Sequence, residues 1–204
     1  MEKFSALPAQ KQNKIIDAAL MAFGTNGYKK ASVSDIASAA GISKSMVFHY
    51  FGTKIALYFY LLELCGNLLM DELNEKLDKS VTDFFERVRL GADIKISVMN
   101  KHSYFLSFLN SVYFESDEEV RPRIEEYLAK GEAFRADLSL VDLDASKFKQ
   151  GIDPKIVMKM LTWLSKGYLS EFQGGTEIDI EAFSKEFDNC LCLLKSNFYK
   201  EEEL

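Results

Sequence analysis

The sequence is poor in the residues that break or cross-link a chain. Of its 204 residues only three are proline and eleven glycine, too few for a fold of many short strands joined by tight turns. Its three cysteines, Cys65, Cys190 and Cys192, are odd in number and show no zinc spacing, so they read as reduced apolar residues and give neither a disulfide framework nor a metal site. With two histidines, His49 and His102, and no glycine-rich phosphate loop, no nucleophile–base pair is in view, and neither an enzyme nor a cofactor is expected. No apolar run approaches the ~20 residues of a membrane span. The N-terminal MEKFSALPAQKQNK lacks the apolar core and cleavage site of a signal peptide. A cytoplasmic protein without a membrane partner is the expectation.

What is present is helical periodicity. In AQKQNKIIDAALMAF the apolar residues Ile15, Ile16, Ala19, Leu20, Ala22 and Phe23 follow the spacing of an amphipathic helix. Pro8 suits its first turn, and Gly24 to Gly27 are read as its stop. SVSDIASAA follows as a short helix with Ser32 as N-cap, Asp35 near its positive end and Gly41 as C-cap. Ser43 caps the next helix. Two short helices joined by a tight glycine turn make a helix-turn-helix. Beyond it the leucines from Leu57 to Leu77 predict one long helix over about 53–79. Further helices are expected with caps at Ser80 or Thr82, with Pro122 near a start, with Asp153 and Pro154 opening another that Gly174 and Gly175 end, and over DIEAFSKEFDNCLCLLKSNFYK. SLVDLDASKFKQGI reads as a loop with a short turn, and no segment reads as a strand.

The second helix of the pair carries four consecutive rings, Phe48, His49, Tyr50 and Phe51, and a turn of about 100° per residue cannot bury them all. With Val47 set at zero, Phe51 falls at about 40° and Tyr50 at about −60°, whereas Ser45 and His49 fall near 160° and 200°. Val47 and Phe51 therefore face the core, Ser45 and His49 centre the outer face, and Met46 and Phe48 border it. No residue of that face, Ser43, Lys44, Ser45, Met46, Phe48 or His49, is acidic, as entry into a DNA major groove requires. Lys29, Lys30, Lys44 and Lys54 are placed to meet phosphates, with Tyr50 at the edge. Ser32, Ser34 and Ser43 stand at helix N-termini whose free N–H groups suit an anion. Charge is divided accordingly: the net charge of −6 is the sum of +4 over residues 1–55 and −10 over the rest, the layout of a nucleic-acid reader.

These residues carry a resemblance. ASVSDIASAAGISKSMVFHYFGTKIAL is similar to the DNA-binding segment of the tetracycline-repressor (TetR) family, met here by Ser32, Val33, Ile36, Ala37, Ala40, Gly41, Ile42, Ser43, Val47, Tyr50, Phe51, Lys54 and Leu57. The family commonly has tyrosine where this chain has Phe48, which cannot donate to a phosphate. The resemblance implies an all-α protein: a three-helix head over residues 1–52 with the helix-turn-helix, and a larger ligand-binding and dimerisation domain over 53–204. It implies a homodimeric repressor that binds a pseudo-palindromic double-stranded operator and is released by a small apolar or aromatic effector. Tyr104, Phe105, Phe108, Tyr113, Trp163 and Tyr168 are then the pocket candidates. Ile156, Met160, Leu164, Phe183, Phe187, Leu191, Leu194 and Phe198 are the dimer-interface candidates. Aromatic residues at helical spacing are equally those of a helical core. The other reading is a helical interaction or small-molecule-binding protein of the same fold without sequence-specific DNA binding.

Overall fold

The computed structural model describes residues 2–102, 104–172 and 179–203. Among them are ten α-helices: α1 (Glu2–Ser5), α2 (Ala9–Lys30), α3 (Val33–Ala40), α4 (Lys44–Phe51), α5 (Lys54–Lys76), α6 (Phe84–Lys101), α7 (Phe105–Phe114), α8 (Arg121–Leu140), α9 (Pro154–Ser170) and α10 (Ile180–Phe198). No named strand occurs among the described residues; Phe148 and Tyr199 form an isolated antiparallel bridge. The protein is all-α, with the helix-turn-helix near its N-terminus. No single described helix is long and apolar enough to cross a membrane. The pair α4 and α5 has the length and composition together but is bent by 64°.

Several caps are those the sequence predicts. The Ser32 and Ser43 hydroxyls accept the Asp35 and Met46 N–H groups, and Gly41 ends α3 in the left-handed region at φ 69°, where a Cβ is costly. Asp153 caps α9 through the Lys155 N–H, with Pro154 at the first helical position. Other boundaries differ. Helix α6 is capped by Asp83, whose carboxylate accepts the Glu86 N–H; Ser80 instead turns back on the Asp78 carboxylate. Helix α2 does not stop at Gly24. It continues to Lys30 through a kink at Gly27, φ 68°. Gly24 is glycine for another reason: a Cβ there would lie 2.6 Å from Ser107 Oγ and 2.9 Å from the Phe108 backbone nitrogen, so its absence lets α7 lie directly against α2. Gly174 and Gly175, expected to end α9, lie outside the described residues; α9 ends at Ser170.

The chain forms two compact units. The first is built mainly from Met1–Leu68 and Met99–Glu125. Its core holds Ile15, Phe23, Ile36, Leu57, Tyr58 and Phe108, all buried. The expected boundary between residues 52 and 53 falls inside this unit, because α2 packs on α7 and the first half of α5 supplies buried side chains to the same core. The second unit is built mainly from Leu69–Val98, Glu126–Glu171 and the C-terminal helix. Phe84, Phe85, Phe148, Leu161, Leu191 and Tyr199 form its buried cluster, and the Tyr199 hydroxyl accepts the Phe84 N–H at 3.1 Å. Arg87, also buried, donates to the carbonyls of Lys79, Val81 and Val141, which satisfies a cation that would otherwise be costly to bury.

Candidate nucleic-acid interface

Helix α4 turns the four rings as its geometry dictates. Val47 and Phe51 are buried and Tyr50 is half-buried, while Lys44, Ser45 and His49 are exposed. Met46 and Phe48 border the outer face at 36% and 39% exposure. Phe48 is thus an exposed phenyl ring which, with the Met46 thioether, borders a surface of hydroxyl, imidazole and ammonium groups. The Ser43 and Ser45 hydroxyls lie 2.9 Å apart, on the acid-free first turn of α4. Ser34 is exposed and Ser32 half-buried at the start of α3.

The inner side of α4 is held from a direction the sequence did not announce. Phe4, on the four-residue α1, is buried and packs on Phe51 at 4.8 Å, Tyr60 at 5.5 Å and Tyr50 at 6.1 Å between ring centroids. Three rings on one phenylalanine fix the tilt of α4 against α5. The only cue was one aromatic in the four-residue segment EKFS, too short for periodicity to register.

Lys29 and Lys30 are exposed on the last turn of α2, beyond the Gly27 kink. That turn is clamped by the α7–α8 connection. The Glu115 carboxylate accepts the Tyr28 N–H at 2.6 Å, and Glu119 accepts the Tyr28 hydroxyl at 2.8 Å. Glu115 also accepts the Ser116 and Asp117 N–H groups, so one carboxylate ties two segments 87 residues apart. Burial and then the Glu119 hydrogen bond push the Tyr28 phenol well above its ordinary range. Lys54 belongs partly to the same knot. Its ammonium donates to the Lys29 carbonyl at 3.2 Å and sits 4.6 Å above the Tyr28 ring, and desolvation lowers its pKa. It caps the end of α2 as well as standing near the expected phosphate path.

The other candidates divide between the units. Phe105 and Phe108 are buried in the first, where Phe108 packs on Tyr58 at 5.5 Å and Phe23 at 6.4 Å. Both are core residues, because α7 uses that face against α2. Tyr104 is exposed, at φ 66°, and Tyr113 half-buried. In the second unit Trp163 is 58% exposed under the Lys159 ammonium, and Tyr168 packs at a tilt against Phe183, 5.0 Å between ring centroids. A separate 430 Å³ pocket in the first unit is lined by Tyr50, Gly52, Phe59, Tyr60, Glu63 and Arg123, with none of the six pocket candidates. Among the described residues no group of His, Cys, Asp or Glu side chains is arranged to hold a metal.

Of the interface candidates, Ile156 and Leu164 on α9 are exposed, as is Trp163 beside them, and Met160 is half-buried on the same face. On α10 Leu191 is buried in its own unit's core, with Phe187, Leu194 and Phe198 packed against that core. Leu191 is corrected accordingly: apolar residues cover so much of the circumference of α10 that sequence alone could not say which of them face inward. Phe183 is half-buried, and Leu193 is the large exposed apolar residue of α10 that the sequence reading left out.

Comparison with known proteins bears on this geometry. Residues 15–61 match the family described as bacterial regulatory proteins, tetR family. The chain is 33% identical over 97 residues to the HTH-type transcriptional regulator BetI of Agrobacterium fabrum, which covers 48% of this chain and 45% of that protein. The alignment therefore spans about half the length of that relative. It is 24% identical over 159 residues to the fatty acid metabolism regulator protein of Bacillus subtilis, covering 74% of this chain and 77% of that one. The fold is also that of the fatty acid degradation regulator FadR from Bacillus halodurans, with a TM-score of 0.70, 20% identity, and coverage of 88% and 96% of the two chains.

Proposed function

We propose, from the chain's membership of the tetR family of bacterial regulatory proteins through residues 15–61, that it is a ligand-responsive transcriptional repressor. It binds a pseudo-palindromic double-stranded operator as a homodimer and leaves it when a small effector with an apolar or aromatic body is bound. The observation that carries this is the outer face of α4: exposed Lys44, Ser45, Met46, Phe48 and His49, with no acid among them, above buried Val47 and Phe51. A helix so presented can enter a major groove with Ser45 and His49 toward base edges. Ser32, Ser34, Ser43, Tyr50, Lys29, Lys30 and Lys44 surround it as phosphate contacts.

Residues 1–52 act as the DNA-binding domain and 53–204 as the effector-binding and dimerisation domain, working in the cytoplasm and without catalysis. The apolar stripe on α9, with Ile156, Trp163 and Leu164 exposed and Met160 half-buried, together with exposed Leu193 on α10, supports pairing with a second copy. Two heads then meet two half-sites related by the dimer's two-fold axis. The relatives named for fatty acid regulation support an effector with an apolar body. Effector binding favours a dimer geometry that fits the operator less well, and the difference in affinity drives release.

Selection of bound sites from a random DNA pool tests the reading. The full-length protein is expected to enrich a pseudo-palindrome, and no enrichment at moderate salt refutes it. Salt dependence then sorts the lysines. Lys44→Ala should reduce the slope of log K against log salt by about one unit, as one phosphate contact does. Lys54→Ala should weaken binding with a smaller change of slope, since its ammonium already caps Lys29.

A further inference from the structure

The last turn of α2 is held from outside its own helix. Gly27 has φ 68° and ψ 177°, which interrupts the helix there. A continuous helix would give the Tyr28 N–H to the carbonyl four residues back; here it donates to the Glu115 carboxylate at 2.6 Å. Helical bonding then resumes, since the Ala31 N–H donates to the Gly27 carbonyl at 3.3 Å. Tyr28 to Lys30 therefore form one separate turn, and Glu115 caps its first N–H from 87 residues away. A Cβ on Gly27 would stand 3.2 Å from the Glu115 Oε2. Glycine thus supplies both the left-handed backbone and the room for the carboxylate.

The rest of the turn is anchored as well. The Tyr28 ring is buried against Phe23 and Tyr58, at 6.3 and 5.1 Å between centroids. Its hydroxyl donates to Glu119 at 2.8 Å, and the Lys29 carbonyl accepts the Lys54 ammonium at 3.2 Å. What this rigid turn presents outward is the pair of exposed side chains Lys29 and Lys30. An acid beside a phosphate path is unfavourable by charge alone. Glu115 is half-buried, and its charge is taken up by three backbone N–H groups: Oε2 accepts Tyr28, and Oε1 accepts Ser116 and Asp117. Glu118, in the same acidic run, is exposed and takes no part in the clamp.

We propose that Glu115 is a positioning residue for DNA binding: it fixes the turn that carries Lys29 and Lys30 so that both ammonium groups meet backbone phosphates together. It acts through the two lysines and does not itself touch DNA. This deepens the regulator reading and rests on it for the DNA.

Titration of the full-length protein with its enriched DNA site, over a range of salt, tests this. Glu115→Ala should weaken binding at least tenfold at moderate salt. It should also lower the slope of log K against log salt by about one to two units, as the loss of one or two phosphate contacts does. Glu118→Ala removes the same charge from the same run, and should leave the slope intact and the affinity equal or slightly higher. In a Lys29→Ala/Lys30→Ala background, Glu115→Ala should weaken binding less than about twofold further, because the groups it positions are gone. A Glu115→Ala chain that binds as tightly as the wild type, or tighter as the loss of an acid alone would make it, overturns the proposal. So does one that fails to fold, keeps its slope while losing affinity, or loses as much in the double-lysine background, since each gives Glu115 a structural role only. Wild-type protein that enriches no DNA site refutes the regulator reading, and the positioning role with it. Wild-type protein that enriches a site whose salt slope Glu115→Ala leaves unchanged refutes the positioning role alone.

Discussion

A lysine with a pKa near 7 changes the pH dependence of folding. In the unfolded chain Lys95 keeps its proton to about pH 10.4, whereas in the fold it releases it at about 7. Between those values the unfolded chain binds more protons, so stability rises with pH. Below about pH 7 both states are protonated and the penalty is complete. Desolvation is the larger cause and the Arg135 charge on α8 the second. Urea melts of wild type and Lys95→Met should therefore differ most at pH 6 and converge toward pH 10, and a pH-independent gap would contradict the assignment. Phe48 gives the second prediction at this scale. Phe48→Tyr restores a donor at the edge of the α4 face and should tighten operator binding about fivefold, by roughly 1 kcal/mol, in a titration at fixed salt; weaker binding would mean that the phenyl ring itself is read. The orientation of these rings was legible because the 100° turn belongs to any helix. The double role of Lys54 was not, since its acceptor is the Lys29 carbonyl, 25 residues away.

Helices α3 and α4 could be read almost to the residue, because Ser32, Gly41 and Ser43 act on backbone groups within a few positions of themselves. The end of α2 could not. Gly24 and Gly27 look like one stop signal, yet one marks a close approach and the other a kink. Gly24→Ala forces a methyl toward Ser107 and the Phe108 backbone. It should cost about 1–3 kcal/mol, as overpacking does, even though alanine is the better helix former. Chemical denaturation measures this; a stabilised variant would mean that α7 moves aside at no cost. The clamp of Glu115 and Glu119 on Tyr28 belongs to this scale too. In the sequence Glu119 stands in the acidic run DEEV, which reads as solvated, with Glu115 two residues before it, and only the packing of α7 on α2 turns both toward the kink.

For the molecule as a whole, the exposed Ile156, Trp163 and Leu164 on α9 are the clearest apolar surface. Leu164→Glu, placed in that stripe, should shift the protein from dimer to monomer in sedimentation analysis. It should also weaken operator binding by at least tenfold while leaving the helical signal intact. A variant that remains dimeric would move the interface elsewhere. Periodicity, the caps and the motif around α3 and α4 determined by themselves that the chain is helical, where its helix-turn-helix lies and which family's DNA-binding segment it resembles. All of these depend on residues close in sequence. The tertiary structure alone decided that Phe4 braces α4, that Glu115 holds the kink and that Leu191 is core. Those are contacts between residues tens of positions apart, and local spacing records which face of a helix is apolar but not what lies against it.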